Sequence, residues 1–144
     1  MKFITQLFFL LSLLVPAHLL ASTEALNAAL ATGNPVLLAK AINETGKLPA
    51  DLGHNSTLSK VNVEDDVLTL HIDTAMSVDS EHPKIKQYVS TDFSVKACDQ
   101  MRLKPVVTKL KHVRVKFYNK HNHVFINKLV TKNDCITITS SSPQ

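Results

Sequence analysis

Glycine, cysteine and tryptophan are scarce in this chain of 144 residues, which has three glycines, two cysteines and no tryptophan. With so few glycines there is no glycine-rich loop of the kind that cradles phosphates. The sequence also lacks a Gly-x-Ser-x-Gly nucleophile motif, a Cys-x-x-Cys redox motif and the Asp-x-Asp-x-Asp-Gly order of a calcium loop. These absences argue against the enzyme classes that such motifs mark, and we predict neither a catalytic set nor a cofactor.

Long hydrophobic runs are absent after the first 15 residues. The chain starts with Lys2, continues through nine mostly apolar residues from Leu7 to Val15, and reaches small residues at Ala21. This is the layout of a secretory signal peptide, and the run is shorter than the roughly 20 residues that span a bilayer. We predict a signal peptide at residues 1–21, cleaved after Ala21 or alternatively after Ala17. The mature protein is then periplasmic or secreted, with no integral membrane segment.

The two cysteines lie in the mature part of the chain. An even number of cysteines in an exported protein favours a disulfide, so we predict a bond between Cys98 and Cys135. The alternative is a pair of buried free thiols.

Charge is unevenly distributed around a formal net charge of +4. Residues 22–95 carry five lysines and ten acidic residues, whereas residues 96–132 carry ten lysines or arginines and one acidic residue, Asp99. A clustered basic segment attracts anionic polymers or surfaces, or the two halves of the chain neutralise each other in the folded protein.

The periodicity of apolar residues predicts the secondary structure. Ser22 or Thr23 caps a helix that ends at Gly33, and Pro35 opens a second helix that ends at Gly46. Strands are predicted at 57–63, 67–75, 111–118 and 123–130, helices at 83–98 and from Pro105, and an edge strand at 136–139.

Grouped, sequential strands of this kind are typical of an α+β fold with a mainly antiparallel sheet. We predict an N-terminal helix pair, then two hairpins with a helix between them, held by one disulfide. One domain covers residues 22–139, with 22–46 as a helical lead-in, and residues 140–144 form a disordered tail.

The last hairpin carries the candidate binding site. A turn centred on Lys120 and His121 pairs Phe117 with Val124 and Val115 with Ile126 on the core side. The opposite side then mixes cations with aromatic rings, and the candidate binding residues are Arg114, Lys116, Tyr118, Lys120, His123 and Phe125. Such a face suits an anionic polymer or a protein partner. The alternative is that one of the early helices covers this face.

Histidines are the candidate metal ligands. His121 and His123 lie two residues apart and could hold a metal, but zinc normally needs three or four protein ligands. We therefore predict no metal site and keep these two residues as weak candidates. His71 is expected on an exposed or half-buried face of a strand.

The order of these motifs resembles that of small exported proteins of gammaproteobacteria. The shared pattern is Gly46-Lys47-Leu48-Pro49, Asp51 and Thr57-Leu58, followed by a helix, a cysteine, a hairpin and a last cysteine. The resemblance implies no function.

The sequence therefore predicts an exported, non-enzymatic binding or interaction protein that acts through its basic C-terminal hairpin. One alternative is a small secreted hydrolase or metal-dependent enzyme. Another is an inhibitor or chaperone of a second exported protein.

Overall fold

The computed structural model of the protein describes residues 24–45, 48–53 and 55–141. The predicted signal peptide, the predicted cap at Ser22 or Thr23, the predicted helix end at Gly46 and residues 142–144 of the predicted tail lie outside the described residues.

The described residues form six helices and five strands. The helices are α1 (Glu24–Thr32), α2 (Pro35–Thr45), α3 (Pro83–Thr91), α4 (Phe93–Gln100), α5 (Lys104–Leu110) and α6 (Lys132–Ser141). The strands are β1 (Ala50–Gly53), β2 (Ser56–Glu64), β3 (Val67–Thr74), β4 (His112–Tyr118) and β5 (Val124–Thr131).

The five strands form one sheet in the order β1-β2-β3-β4-β5. The β3–β4 pair is parallel, because helices α3, α4 and α5 connect these two strands, and the other three pairs are antiparallel. The predicted α+β class with a mainly antiparallel sheet is confirmed. Strands β1 and β5 are the edges of the sheet.

One face of the sheet carries the hydrophobic core. Along β4 the buried residues Val113, Val115 and Phe117 alternate with half-buried polar ones. The ring of Phe93 in α4 meets Phe117 edge to face, with centroids 5.8 Å apart. The apolar sides of the helices pack on this face, and we call the opposite side of the sheet the outer face.

The predicted N-terminal helix pair is confirmed. Gly33 has a φ of +70°, the left-handed conformation that ends α1. Asn34 accepts hydrogen bonds at its Oδ1 from the backbone of Val36 and Leu37, at 2.9 and 3.3 Å, and so caps α2.

The helix predicted at 83–98 is two helices. His82 caps the first of them through its Nδ1, which accepts from the Lys84 amide, and Asp92 separates α3 from α4. The short strand β1 was not among the predicted elements. It pairs with β2 and extends the sheet at that edge.

The predicted edge strand at 136–139 is wrong, because these residues belong to α6. Asp134 explains the helix: its Oδ2 accepts from the backbone N–H and the hydroxyl of Thr131, at 2.7 and 3.0 Å. The bond from the Thr131 amide is one half of a capping box, with aspartate in the place of the usual glutamate. Helix α6 continues to Ser141, so it includes the first two residues of the predicted tail.

The predicted disulfide between Cys98 and Cys135 is confirmed. It joins α4 to α6 and so fixes the C-terminal helix beside the end of β5.

Candidate functional site

The C-terminal hairpin, β4 and β5, has a different register from the predicted one. Phe117 pairs with Ile126 and Val115 with Lys128, which is a shift of two residues, and the pairing slips between Phe117 and Tyr118. A shift of two residues keeps each side chain on its predicted face. The slip between Phe117 and Tyr118 changes the face of the β5 residues beyond it.

The prediction that Phe125 lies on the outer face is wrong. A β-bulge places Phe125 and its neighbour Ile126 together on the core side, where they are 2% and 1% exposed. The ring of Phe125 meets Phe117 at a centroid distance of 6.1 Å. Phe125 is therefore a core residue and does not belong to the outer face.

Three of the predicted site residues do lie on the outer face of β4, and the polar group of each already has a side-chain partner. Lys116 Nζ is 2.7 Å from Glu64 Oε1 on β2. Arg114 Nη1 donates to Asn127 Oδ1 across the hairpin at 2.8 Å. The third, Tyr118, contacts His71 on β3. His71 was expected on an exposed or half-buried face, but it is buried.

His71 is the centre of a polar cluster on the outer face. Its side chain is 5% exposed, with Nδ1 2.7 Å from Tyr118 Oη and Nε2 2.8 Å from Asn62 Oδ1. Glu64 Oε2 lies 3.2 Å from the same Nε2. We call His71, Tyr118, Asn62, Glu64 and Lys116 the His71 cluster. Its residues come from three adjacent strands, so no local sequence pattern marks it.

The partners of His71 define its protonation. Two oxygens face Nε2, so Nε2 carries the proton and donates, while Nδ1 accepts from the Tyr118 hydroxyl. Burial lowers the pKa of His71, and the nearby Glu64 carboxylate opposes that shift. The hydrogen bond from Lys116 lowers the pKa of Glu64 against a smaller effect of burial. The hydrogen bonds of the cluster are satisfied with His71 neutral.

The hairpin turn is exposed and carries Lys120, His121 and His123. The Asn119 side chain organises the turn, because its Oδ1 accepts from the amides of His121 and His123 at 2.9 and 3.0 Å. No group of three or more His, Cys, Asp or Glu residues among the described ones is placed to hold a metal ion. Among the described residues, His121 and His123 therefore have no third ligand beside them.

A groove runs along the free edge of β5, between that strand and helix α3. Its larger part has a volume of about 470 Å³ and is lined by five consecutive β5 residues, 124–128. Across from them, α3 contributes Ile85, Lys86, Val89 and Ser90. We call this cavity and its continuation the β5 groove.

The continuation of the β5 groove is more polar. It has a volume of about 270 Å³ and lies between the α3–α4 junction and the end of β5, with Ser90 and Lys128 lining both parts. Ser94 of α4 also lines it, and the buried Ser94 Oγ has no hydrogen-bond partner among the described residues. A buried hydroxyl without a partner is unfavourable, so a polar group entering the groove here would be stabilised.

Lys128 lines both parts of the groove, whose other charged lining residues are Lys86 and Asp134. Lys128 pairs with Val115 and so faces the helix side of the sheet, where it is half-buried. Within the described part of the chain, no carboxylate lies within 4 Å of its ammonium group, whereas Lys86 on the opposite wall pairs with Glu81 at 2.7 Å. The groove thus combines apolar walls with one cation free to meet an incoming carboxylate.

Comparisons with known proteins identify the fold. No protein-family model matches the chain, and no curated protein matches it in sequence. The structure is similar to the pilotin EpsS from the type 2 secretion system of Vibrio vulnificus, with a TM-score of 0.52 and 13% identity, covering 82% of this chain and 99% of that one. The type II secretion system pilotin AspS from Vibrio cholerae aligns with a TM-score of 0.48 and 18% identity, covering 74% of this chain and 99% of that one.

In the described residues no helix has the length and apolar character needed to cross a membrane. The similarity to the Vibrio vulnificus pilotin establishes a shared fold across most of the chain.

Proposed function

We propose that this protein is an exported, non-enzymatic binding protein that holds a segment of a protein partner in the β5 groove. The C-terminal hairpin still provides the binding site in this proposal. It moves the site from the outer face of the hairpin to the free edge of β5.

The observation that carries the proposal is the β5 groove itself. A concave surface between a helix and an edge strand, with apolar walls and a few polar groups, is typical of peptide-recognition sites. On the outer face, by contrast, Lys116 and Arg114 already have partners, and Phe125 is buried. The outer face therefore offers fewer free groups than the groove.

The chemistry of the groove defines the partner segment. Val89 and Val124, which are both half-buried, favour apolar side chains, and Lys128 favours a carboxylate. On the β5 side, Asp99 is the single acidic residue in 96–132, and the carboxylate that lines the continuation of the groove, Asp134, is already engaged by Thr131. We therefore propose a segment that combines apolar and acidic residues.

The fold comparison supports a binding role. The Vibrio vulnificus protein with this fold is a pilotin from a type 2 secretion system. By analogy with its fold, we propose that this chain acts by associating with another exported protein. Fold alone does not define function, so the proposal depends on the groove.

The other predicted functions have less support than binding of a partner segment in the β5 groove. An anionic polymer would bind through Arg114, Lys120 and the exposed cations of the hairpin, and an inhibitor or chaperone differs from the present proposal only in its partner. For a metal-dependent enzyme that uses His121 and His123, the described residues offer no third ligand.

Site-specific photo-crosslinking in the source cells tests the proposal. A photoreactive residue at Ser90 reports on the groove, Gln87 on the same exposed helix serves as the matched control, and Arg114 reports on the outer face. We expect Ser90 to give one discrete adduct that Gln87 does not give. The partner identified in it should bind the purified protein, with Ser90→Glu weakening binding and Gln87→Glu leaving it unchanged.

Two results would contradict the proposal. One is an adduct from Arg114 alone, which would return the site to the outer face. The other is equal binding of the identified partner by the Ser90→Glu and Gln87→Glu variants, which would place the site outside the groove.

A further inference from the structure

Strand β5 has an open hydrogen-bonding edge within the β5 groove. The Lys132 amide donates to the Lys111 carbonyl at 3.1 Å, in the same register that pairs Val113 with Val130 and Val115 with Lys128. In an antiparallel pair, bonded residues alternate with residues whose peptide groups point away. Residues 128 and 130 therefore bond to β4, and Asn127 and Leu129 direct their N–H and C=O groups outward.

The outward groups of Asn127 and Leu129 have no partner in the part of the chain that the structure describes. No described residue forms a backbone hydrogen bond with them, since the sheet has no strand beyond β5. The next outward amide, that of Thr131, is different because Asp134 accepts from it at 2.7 Å. The open edge is therefore short, and the start of α6 closes it at one end.

We propose that the partner segment docks as an extended strand that pairs with β5 through the peptide groups of Asn127 and Leu129. This inference rests on the proposed function and adds the conformation of the bound segment. Strand addition of this kind supplies main-chain hydrogen bonds for affinity, while alternate side chains enter pockets that give specificity. In this groove one set of side chains faces Val89 and Ser90 of α3.

The charge of the groove selects the sequence of the added strand. Lys128 points to the helix side, beside the path of that strand, and favours an acidic residue there. An inward-pointing lysine on an edge strand also discourages pairing with apolar strands. Both effects favour an acidic segment over a second copy of β5, whose own Lys128 would bring a like charge. The unpartnered Ser94 hydroxyl favours a polar side chain nearer α4.

The inference is tested with ten-residue peptides selected from a displayed library on the exported, oxidised protein. Asn127→Pro removes the outward N–H, and Asn127→Ala is its control because both variants lose the side chain that accepts from Arg114. We expect Asn127→Pro to weaken peptide binding by about tenfold or more, as expected for lost main-chain hydrogen bonds, and Asn127→Ala to bind nearly as the parent does.

The second arm leaves the protein unchanged, so it does not depend on folding of the proline variant. Single N-methylation along the selected peptide should abolish binding at every second residue, the period of a strand. A docked helix would instead make side-chain contacts at every third or fourth peptide residue. That pattern, together with equal binding by Asn127→Pro and Asn127→Ala, would overturn strand addition. Selection of no peptide sensitive to Ser90→Glu would overturn both strand addition and the proposed groove function.

Discussion

Tyr118 donates its hydroxyl to His71 Nδ1 at 2.7 Å, across the parallel pair of strands at the centre of the sheet. The two rings are also stacked, with centroids 5.8 Å apart and an interplanar angle of 24°. Because Nδ1 is the acceptor, the hydrogen bond from Tyr118 requires a neutral His71. The outer face is thus held by a hydrogen bond that protonation of the histidine removes.

Replacement of Tyr118 by phenylalanine should destabilise the protein by about 1–2 kcal/mol, because it leaves the buried Nδ1 of His71 without a donor. Urea unfolding measures the change. Lys120→Gln in the exposed turn is the control and should alter stability little. Equal effects of the two substitutions would contradict the hydrogen bond.

The free energy of unfolding should fall as the pH is lowered. In the unfolded chain His71 binds a proton near its ordinary pKa of 6.5, whereas burial lowers its pKa in the folded protein. The unfolded state therefore binds more protons below that pH, so stability is lost as pH falls from 6.5 towards the folded pKa. Glu64, whose pKa is lowered from 4.5 by Lys116, acts in the same direction at lower pH.

Urea unfolding at a series of pH values between 7.5 and 4 measures this dependence, whose upper part, between about 7 and 5.5, belongs to histidine. His71→Gln should flatten that upper part, with His112→Gln as the matched control. An unchanged slope in the His71 variant would show that another group titrates.

Removal of the disulfide should cost about 2–4 kcal/mol, because Cys98 and Cys135 close a long loop in the unfolded chain. The Cys98→Ser, Cys135→Ser double variant, compared with the oxidised parent by urea unfolding, measures this loss. A change below about 0.5 kcal/mol would contradict a stabilising role for the link between α4 and α6.

Loss of the Asp134 cap should cost about 1 kcal/mol in the Asp134→Ala variant, because the Thr131 amide loses its acceptor. Asp99→Ala, at an exposed helical position, is the control. The Asp134→Ala variant should also extend the open edge of β5 by one amide, that of Thr131. Faster exchange of the Thr131 amide with solvent would report that change.

The sequence predicts the elements that depend on local patterns. Alternation of Leu68, Leu70 and Ile72 identifies β3, and Gly33 and Pro35 mark the boundary of the helix pair. The predicted pairing of Cys98 with Cys135 followed from the export context and the count of two. These features follow from short-range preferences or simple counts.

Other features depend on tertiary contacts that local patterns do not encode. The bulge that buries Phe125 follows from packing against Phe117, and the His71 cluster joins three strands. The final helix had a local signal, the Thr131–Asp134 capping box, but the alternation of Ile136 and Ile138 with threonines favours a strand. The β5 groove arises where α3 lies beside an edge strand, a placement that only the folded chain reveals.

Amide hydrogen exchange along β5, measured by NMR with and without a selected peptide, tests the binding site most directly. In the free protein the amides of residues 128 and 130 should exchange slowly, and those of Asn127 and Leu129 should exchange fast. Bound peptide should slow Asn127 and Leu129 selectively. Slow exchange at these two residues in the free protein, or no change in the complex, would contradict an open edge that receives a partner strand.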